Sequence, residues 1–156
     1  MTALQVQSAA ELPALISQVV EETETAYKRL VSLGQDGIHI FERIKFEQIG
    51  RHPLENRDLN LIEQVNQTFT YLVSFAAGIQ LFELYPELTG LNFNLGARRG
   101  YDIESIAPNY VVAETFASVR PSNNRKLSED REKMHKSSAE HKYVFFYSPG
   151  YSPGQH

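Results

Sequence analysis

Apolar positions mark the chain out into helices first and strands afterwards. From Ser8 to Leu33 they return at helical spacing, through Leu12, Leu15, Ile16, Val19, Val20, Tyr27, Leu30 and Val31. Ser8 and Glu11 stand at the positions of a capping box, Pro13 falls in the first turn, and Gly34 supplies the stop. The stripe thins around Glu21, Glu22 and Glu24, which read as a solvated acidic face. Residues 35–56 carry a mixed signal. IHIFERIKFEQI alternates like a strand through His39, Phe41 and Arg43, but also places Phe41, Ile44 and Ile49 at helical spacing. A short helix is the preferred reading, followed by a loop from His52-Pro53 to Asn56. The clearest helix opens at Asn60, with Glu63 completing a second capping box, and runs to about Leu84 through Leu61, Val65, Phe69, Leu72, Phe75, Ala76, Ile79 and Phe82. Its other faces are also fairly apolar, which predicts neighbours on more than one side. Tyr85-Pro86 ends it.

The period then shortens to two. Leu91, Phe93 and Leu95 alternate with Asn92 and Asn94, the mark of a short strand. Arg98-Arg99-Gly100 reads as a turn. YDIESI and NYVVAETFASV follow as two strands of a hairpin turned by Ala107-Pro108-Asn109. Ser122 or Asn123 is the expected cap of a helix carrying Leu127, Asp130, Arg131 and Met134. KYVFFYS, nearly unbroken in its apolar character, reads as a strand buried on both faces, and the PGYSPGQH tail as poorly ordered. The expected fold is α/β and a single domain. It comprises a helical lead over 1–56, a core over 57–149 with a mixed sheet of about four strands flanked by helices, and a flexible tail over 150–156.

Composition narrows the function classes. The chain has 156 residues, 42% hydrophobic and 22% charged, ordinary values for one globular domain. A formal net charge of -4 gives no global field for nucleic acid, so a nucleic-acid partner needs a local basic patch. With no cysteine, disulfides, thiolate metal sites and cysteine nucleophiles are excluded. No apolar run is long enough to span a membrane and no signal-peptide pattern opens the chain, so a cytoplasmic protein without membrane contact is expected. The five histidines lack metal-ligand spacing, and neither a phosphate loop nor a G-x-S-x-G elbow is present.

The sharpest chemical signal is a pair of acids inside apolar strands, Asp102 in GYDIESI and Glu114 in YVVAETFA. A carboxylate in a strand centre is costly unless something pairs with it. Ordinary ion pairs to Arg98, Arg99 or Arg120 are one answer; a metal is the other. The cations Arg120, Arg125, Lys126, Arg131, Lys133 and Lys136 follow closely, with Glu129, Asp130 and Glu132 between them. Pairs one turn apart, such as Glu129 with Lys133, account for part of this pattern. Arg125 and Lys126 sit at the start of a helix, where cations oppose the dipole.

The order helix, strand, strand, strand, helix, strand over Asn60 to Pro149, with Asp102 on the second strand and Glu114 on the third, resembles the PD-(D/E)XK nuclease superfamily, the restriction-endonuclease-like fold. The resemblance implies that Asp102 and Glu114 ligate Mg²⁺ or Mn²⁺, with Glu63 as the helix candidate for the same site. The chain departs from the motif in two places: Phe116 stands where the family has its E-x-K lysine, and Tyr101 where it has proline. The family moves this lysine to the following helix in some members, which makes Lys126 the candidate catalytic cation and Arg125 its alternative. Arg120, Asn124 and Arg125 are then candidate substrate-binding residues. The function implied is a metal-dependent endonuclease acting on DNA phosphodiesters, in restriction or another defence system. The rival is a non-catalytic binding protein on the same fold, such as an immunity protein, an antitoxin or a complex subunit. The thin stripe of the first helix is expected to meet another chain, in a homodimer or hetero-complex.

Overall fold

The computed structural model describes residues 4–34, 37–96, 100–152 and 154. Among the described residues, seven strands and four α-helices follow in the order β1 (Leu4–Val6), α1 (Leu12–Ser32), α2 (Gly37–Phe46), β2 (Gly50–Arg51), β3 (Asp58–Leu59), α3 (Leu61–Leu84), β4 (Leu91–Phe93), β5 (Ile103–Ser105), β6 (Val111–Ala117), α4 (Lys126–Lys136) and β7 (His141–Tyr147). Short 3₁₀ turns precede α1 and α4. The fold is α/β, with a five-stranded mixed sheet. The contacts divide the chain into two units: the segment up to Leu12 with Val73 onward, and Pro13–Leu72 between them.

The first unit holds the sheet, ordered β1-β4-β5-β6-β7. β4, β5 and β6 run antiparallel in sequence, β5 and β6 forming the expected hairpin, and β7 returns parallel to β6 through α4. A parallel return requires a crossover, and α4 is that crossover. β1 was not expected. Leu4–Val6 is too short to show a period, yet it pairs with Leu91–Phe93 and makes the sheet one strand wider than the sequence suggests. Phe75, Leu81, Leu91, Phe93, Ile103 and Val111 are buried at the core, with the Phe75 and Phe93 rings edge to face at 5.5 Å. Gly78 admits this packing, because a Cβ there would come within 2.6 Å of Phe93 Cζ. On the other face Val112, Met134 and Ala139 form a smaller cluster with Tyr101 and Val144 around it.

Two expectations in this unit are corrected. β7 is an edge strand, and none of its residues is fully buried, whereas its apolar run predicted burial on both faces. Neither Ser122 nor Asn123 caps α4 with its side chain; Arg125, in a left-handed conformation at φ 58, occupies the N-cap position.

The second unit pairs α1 with the first turns of α3. Thr23 Oγ1 and Thr68 Oγ1 lie 3.2 Å apart, and Gln64 Nε2 donates to the Glu22 carbonyl at 3.0 Å. Gln64 also accepts the Arg51 N–H at 2.6 Å, tying the small β2–β3 hairpin to α3. The preferred helix within 35–56 is present as α2, although β2 and β3 were not foreseen. Buried His52 accepts the N–H groups of Leu54 and Glu55 at Nδ1, which leaves Nε2 to carry the proton beside the Tyr71 hydroxyl at 3.3 Å.

Candidate functional site

The site is built where β5, β6 and α4 meet. Ile103 opposes Ala113 and Glu104 opposes Val112, so the register carries Asp102 level with Glu114. Asp102 stands just before β5 and turns its carboxylate onto the next residue of β6. Oδ2 accepts the Thr115 N–H at 2.8 Å and the Thr115 hydroxyl at 3.3 Å. The carboxylate thus takes the place of a ladder carbonyl beyond the end of β5. Thr115 in turn meets Ser74 of α3 at 2.7 Å.

Glu114 points from β6 to the α4 side and is 3% exposed. Lys133 Nζ donates to its Oε1 at 2.5 Å and to the Gly100 carbonyl at 2.6 Å, with the Tyr101 ring centre 5.1 Å away. Lys126 Nζ lies 4.0 Å from Glu114 Oε2 and 2.7 Å from Asp130 Oδ1. Asp130 is also 3% exposed, and its Oδ2 is buried without a hydrogen-bond partner. Lys126, Asp130 and Lys133 follow one another at spacings of four and three residues, so α4 presents all three on one face.

The electrostatics follow from burial. Loss of solvent pushes the Glu114 carboxyl above its usual range; the Lys133 hydrogen bond pulls it back, while the negative charges of Asp102 and Asp130 add to the rise. Lys126 is held above its ordinary value. Burial favours its neutral form, but the hydrogen bond and charge of Asp130, with Glu114 and Asp102 behind it, outweigh that. Lys126 therefore stays charged at neutral pH, and the two lysines meet the carboxylates of Glu114 and Asp130.

The arrangement answers several sequence expectations. Lys126 does reach the Glu114 carboxylate, and its turn toward acids relieves the mismatch with the positive helix end. Lys133 pairs with Glu114 across nineteen residues of sequence instead of with Glu129 one turn away. Lys133 and Asp130 are the two members of the cluster to which sequence reasoning gave no site role. Their signal was the stripe through Lys126, Asp130 and Lys133 on the helix after the Glu114 strand. Arg120, Asn124 and Arg125 are exposed, and no hydrogen bond or ion pair joins them to Asp102 or Glu114. Arg98 and Arg99 lie outside the described residues. Glu63, in the second unit, is exposed, and its N–H is capped by Asn60 Oδ1 at 2.8 Å.

Among the described residues, no group of three or more His, Cys, Asp or Glu side chains is arranged to hold a metal ion. Asp102 and Glu114 carry carboxylate oxygens, the donor type a hard cation takes, but Asp102 Oδ2 is already bonded to Thr115 and Glu114 Oε1 to Lys133. Such an ion must compete with Lys133 for Glu114. No described helix is long and apolar enough to cross a membrane. The chain matches no protein-family model, and no curated protein or solved structure is similar enough to match it.

Proposed function

We propose that the chain is a metal-dependent, nuclease-like protein acting on DNA phosphodiesters in a restriction or other defence system. The observation that carries this reading is the placement of Lys126 Nζ 4.0 Å from a buried Glu114 that stands level with Asp102. A cation from the crossover helix thereby reaches the third-strand acid, beside which Phe116 replaces the expected lysine. The helix–strand–strand–strand–helix–strand order from α3 to β7 supports the same reading.

In this mechanism Asp102 and Glu114 would hold Mg²⁺ or Mn²⁺, which supplies charge neutralisation at the scissile phosphate and a more acidic water. Holding the ion would require Glu114 to give up its bond to Lys133. Lys126, steered by Asp130, orients the attacking water and offsets negative charge as the phosphate oxygens gain it. Thr115 fixes the Asp102 carboxylate through two hydrogen bonds. Exposed Arg120, Asn124 and Arg125, on the segment between β6 and α4, engage the DNA backbone. Exposed Val20, Tyr27 and Val31 on α1 supply the surface for another chain.

One observation favours a second reading, a non-catalytic binding protein on the same fold: Lys133 already satisfies Glu114 at 2.5 Å, so the acid pair needs no ion to be stable. A cleavage assay separates the two. Duplex and single-stranded DNA are incubated with Mg²⁺ or Mn²⁺ and the wild type, Asp102→Asn or Glu114→Gln. The nuclease reading expects cleavage by the wild type, abolished by EDTA and by both substitutions. Intact DNA with the wild type on both substrates moves the conclusion to the binding protein.

A further inference from the structure

The side chains of β7 are packed, with Val144 on the Val112–Met134–Ala139 cluster, Phe146 stacked on Phe116 and the Tyr143 hydroxyl against that of Tyr85, but among the described residues one main-chain edge of the strand stays open. Of its seven residues, Tyr143, Val144, Phe145, Phe146 and Tyr147 are aromatic or aliphatic, yet the strand pairs only with β6 and closes the sheet. Sheet edges are ordinarily blunted by short strands, prolines, bulges or inward charges. The opposite edge follows that rule, since β1 has only three residues. β7 has neither proline nor glycine and keeps an unbroken register with β6 from His141 to Tyr147. Lys142 is its one permanent charge.

The direction of its main-chain groups can be followed from the two ends. The His141 N–H donates to the Tyr110 carbonyl, and the Tyr147 carbonyl accepts the Ser118 N–H. The odd-numbered residues therefore turn their N–H and C=O groups toward β6. Those of Lys142, Val144 and Phe146 turn outward, where the described residues provide no strand.

We infer that β7 is a self-pairing edge: two copies of this chain join their β7 strands antiparallel about a two-fold axis at Val144, so that one sheet runs through both. In this register Val144 opposes Val144 and Lys142 opposes Phe146, and these are the residues with outward groups. Each opposed pair exchanges two N–H···O bonds. The side chains agree with the register. Tyr143 meets Phe145 on one face, and Lys142 lies across from the Phe146 ring on the other, an arrangement open to cation–π contact. Moving the axis two residues toward the N-terminus sets Lys142 against Lys142, a like-charge pair. Moving it two residues the other way leaves Lys142 opposite Gly150, beyond the strand. The Val144 register is centred on the strand, so a second copy of the same sequence pairs along all seven residues without a charge clash. This surface is separate from the α1 stripe and does not depend on the nuclease reading.

Single-cysteine cross-linking tests the pairing, since the chain has no cysteine of its own. Hydrogen-bonded antiparallel partners have Cα atoms about 5.5 Å apart, within disulfide reach. Under mild oxidation Val144→Cys forms a covalent dimer. Lys142→Cys does not, because the two positions lie about four residues apart along the paired strands, roughly 13 Å. Lys142→Pro removes an outward N–H in each copy while leaving the β6 ladder intact. It weakens the dimer by at least about tenfold in light scattering, with an unchanged circular dichroism spectrum. A wild-type monomer at high protein concentration, a dimer indifferent to Lys142→Pro, or cross-linking through Lys142→Cys in place of Val144→Cys would each overturn the inference.

Discussion

Replacing Lys133 by methionine isolates the electrostatic knot of the site. Methionine keeps most of the stem of Lys133 over Tyr101 and removes the ammonium that donates to Glu114 at 2.5 Å and to the Gly100 carbonyl at 2.6 Å. Breaking a buried ion pair by deleting one partner costs about 3–5 kcal/mol, and a hydrogen bond to a charged group contributes about 1.5–3 kcal/mol. Glu114 is 4% exposed in its side chain, but Lys133 is 41% exposed, so solvent screens part of the attraction. A loss of about 2–3 kcal/mol at pH 8 is therefore expected. Its pH dependence follows from Glu114, whose folded-state carboxyl lies above its ordinary value and rises further without Lys133. A raised carboxyl favours the folded state while it is protonated and loses that contribution as pH rises through its folded value. The Lys133→Met deficit is accordingly larger at pH 8 than at pH 5, because lowering the pH moves Glu114 toward its protonated form, which needs no counter-ion. Urea unfolding at the two pH values measures it, and the Glu114→Gln/Lys133→Met double mutant completes the cycle. A deficit equal at both pH values, or a coupling below about 0.5 kcal/mol, would refute the placement of this pair at the centre of the site.

Other parts of the fold give independent checks. Gly78→Ala gains about 1 kcal/mol of helix propensity but places a Cβ 2.6 Å from Phe93 Cζ, within the fully buried Phe75–Phe93 contact. The net result in thermal unfolding is destabilisation by about 1–3 kcal/mol, and stabilisation would contradict this packing. Gln64→Ala leaves the Arg51 N–H and the Glu22 carbonyl without their partner and is expected to lower stability by about 2–4 kcal/mol in urea titration; a change under about 0.5 kcal/mol would show those bonds to be dispensable. His52 is held below its ordinary value mainly by burial, with Arg57 acting in the same direction and Glu55 against it. A depressed histidine contributes stability that is present above its unfolded value of about 6.5 and lost as pH falls through its folded value. The wild type thus loses stability below about pH 6.5, and His52→Gln flattens that part of the profile; an unchanged slope would place the titration elsewhere.

Much of this fold was legible because its periods are long and unbroken. The stripe from Leu61 to Phe82 gave α3, alternation gave β4, and the Ala107-Pro108-Asn109 turn gave β5 and β6 as a hairpin, while the antiparallel pairing of β4 with β5 is seen only in the structure. Three-residue β1 has no period to read, and only its pairing with β4 makes it a strand. β7 misled because an apolar run records what a strand could bury, not where it lies in the sheet. Within the site, Asp102 and Glu114 stood out as acids among apolar neighbours, and Lys126 followed from the missing lysine at Phe116. Lys133 escaped because local spacing offered Glu129, whereas the crossover of α4 onto the sheet delivers Glu114 from nineteen residues away. Asp130 was read along its helix with Leu127, Arg131 and Met134, but nothing in the sequence said that one of its oxygens would be buried without a partner.

The central claim rests on Lys126 as the cation that replaces the lysine absent at Phe116. Its most direct test is the rate of Mg²⁺-dependent DNA cleavage by Lys126→Ala against wild type, with both proteins shown by circular dichroism to be folded. Removing Lys126 leaves the buried Asp130 carboxylate without its counter-ion, so Lys126→Ala is expected to lose about 2–3 kcal/mol of stability, as Lys133→Met does, and cleavage is compared at a temperature where both proteins are folded. The account predicts that the wild type cleaves and that Lys126→Ala is slower by about 10²–10⁴, the range for losing a positioned proton-transfer or charge-stabilising group. Cleavage by Lys126→Ala at the wild-type rate, or no cleavage by the wild type itself, would contradict it.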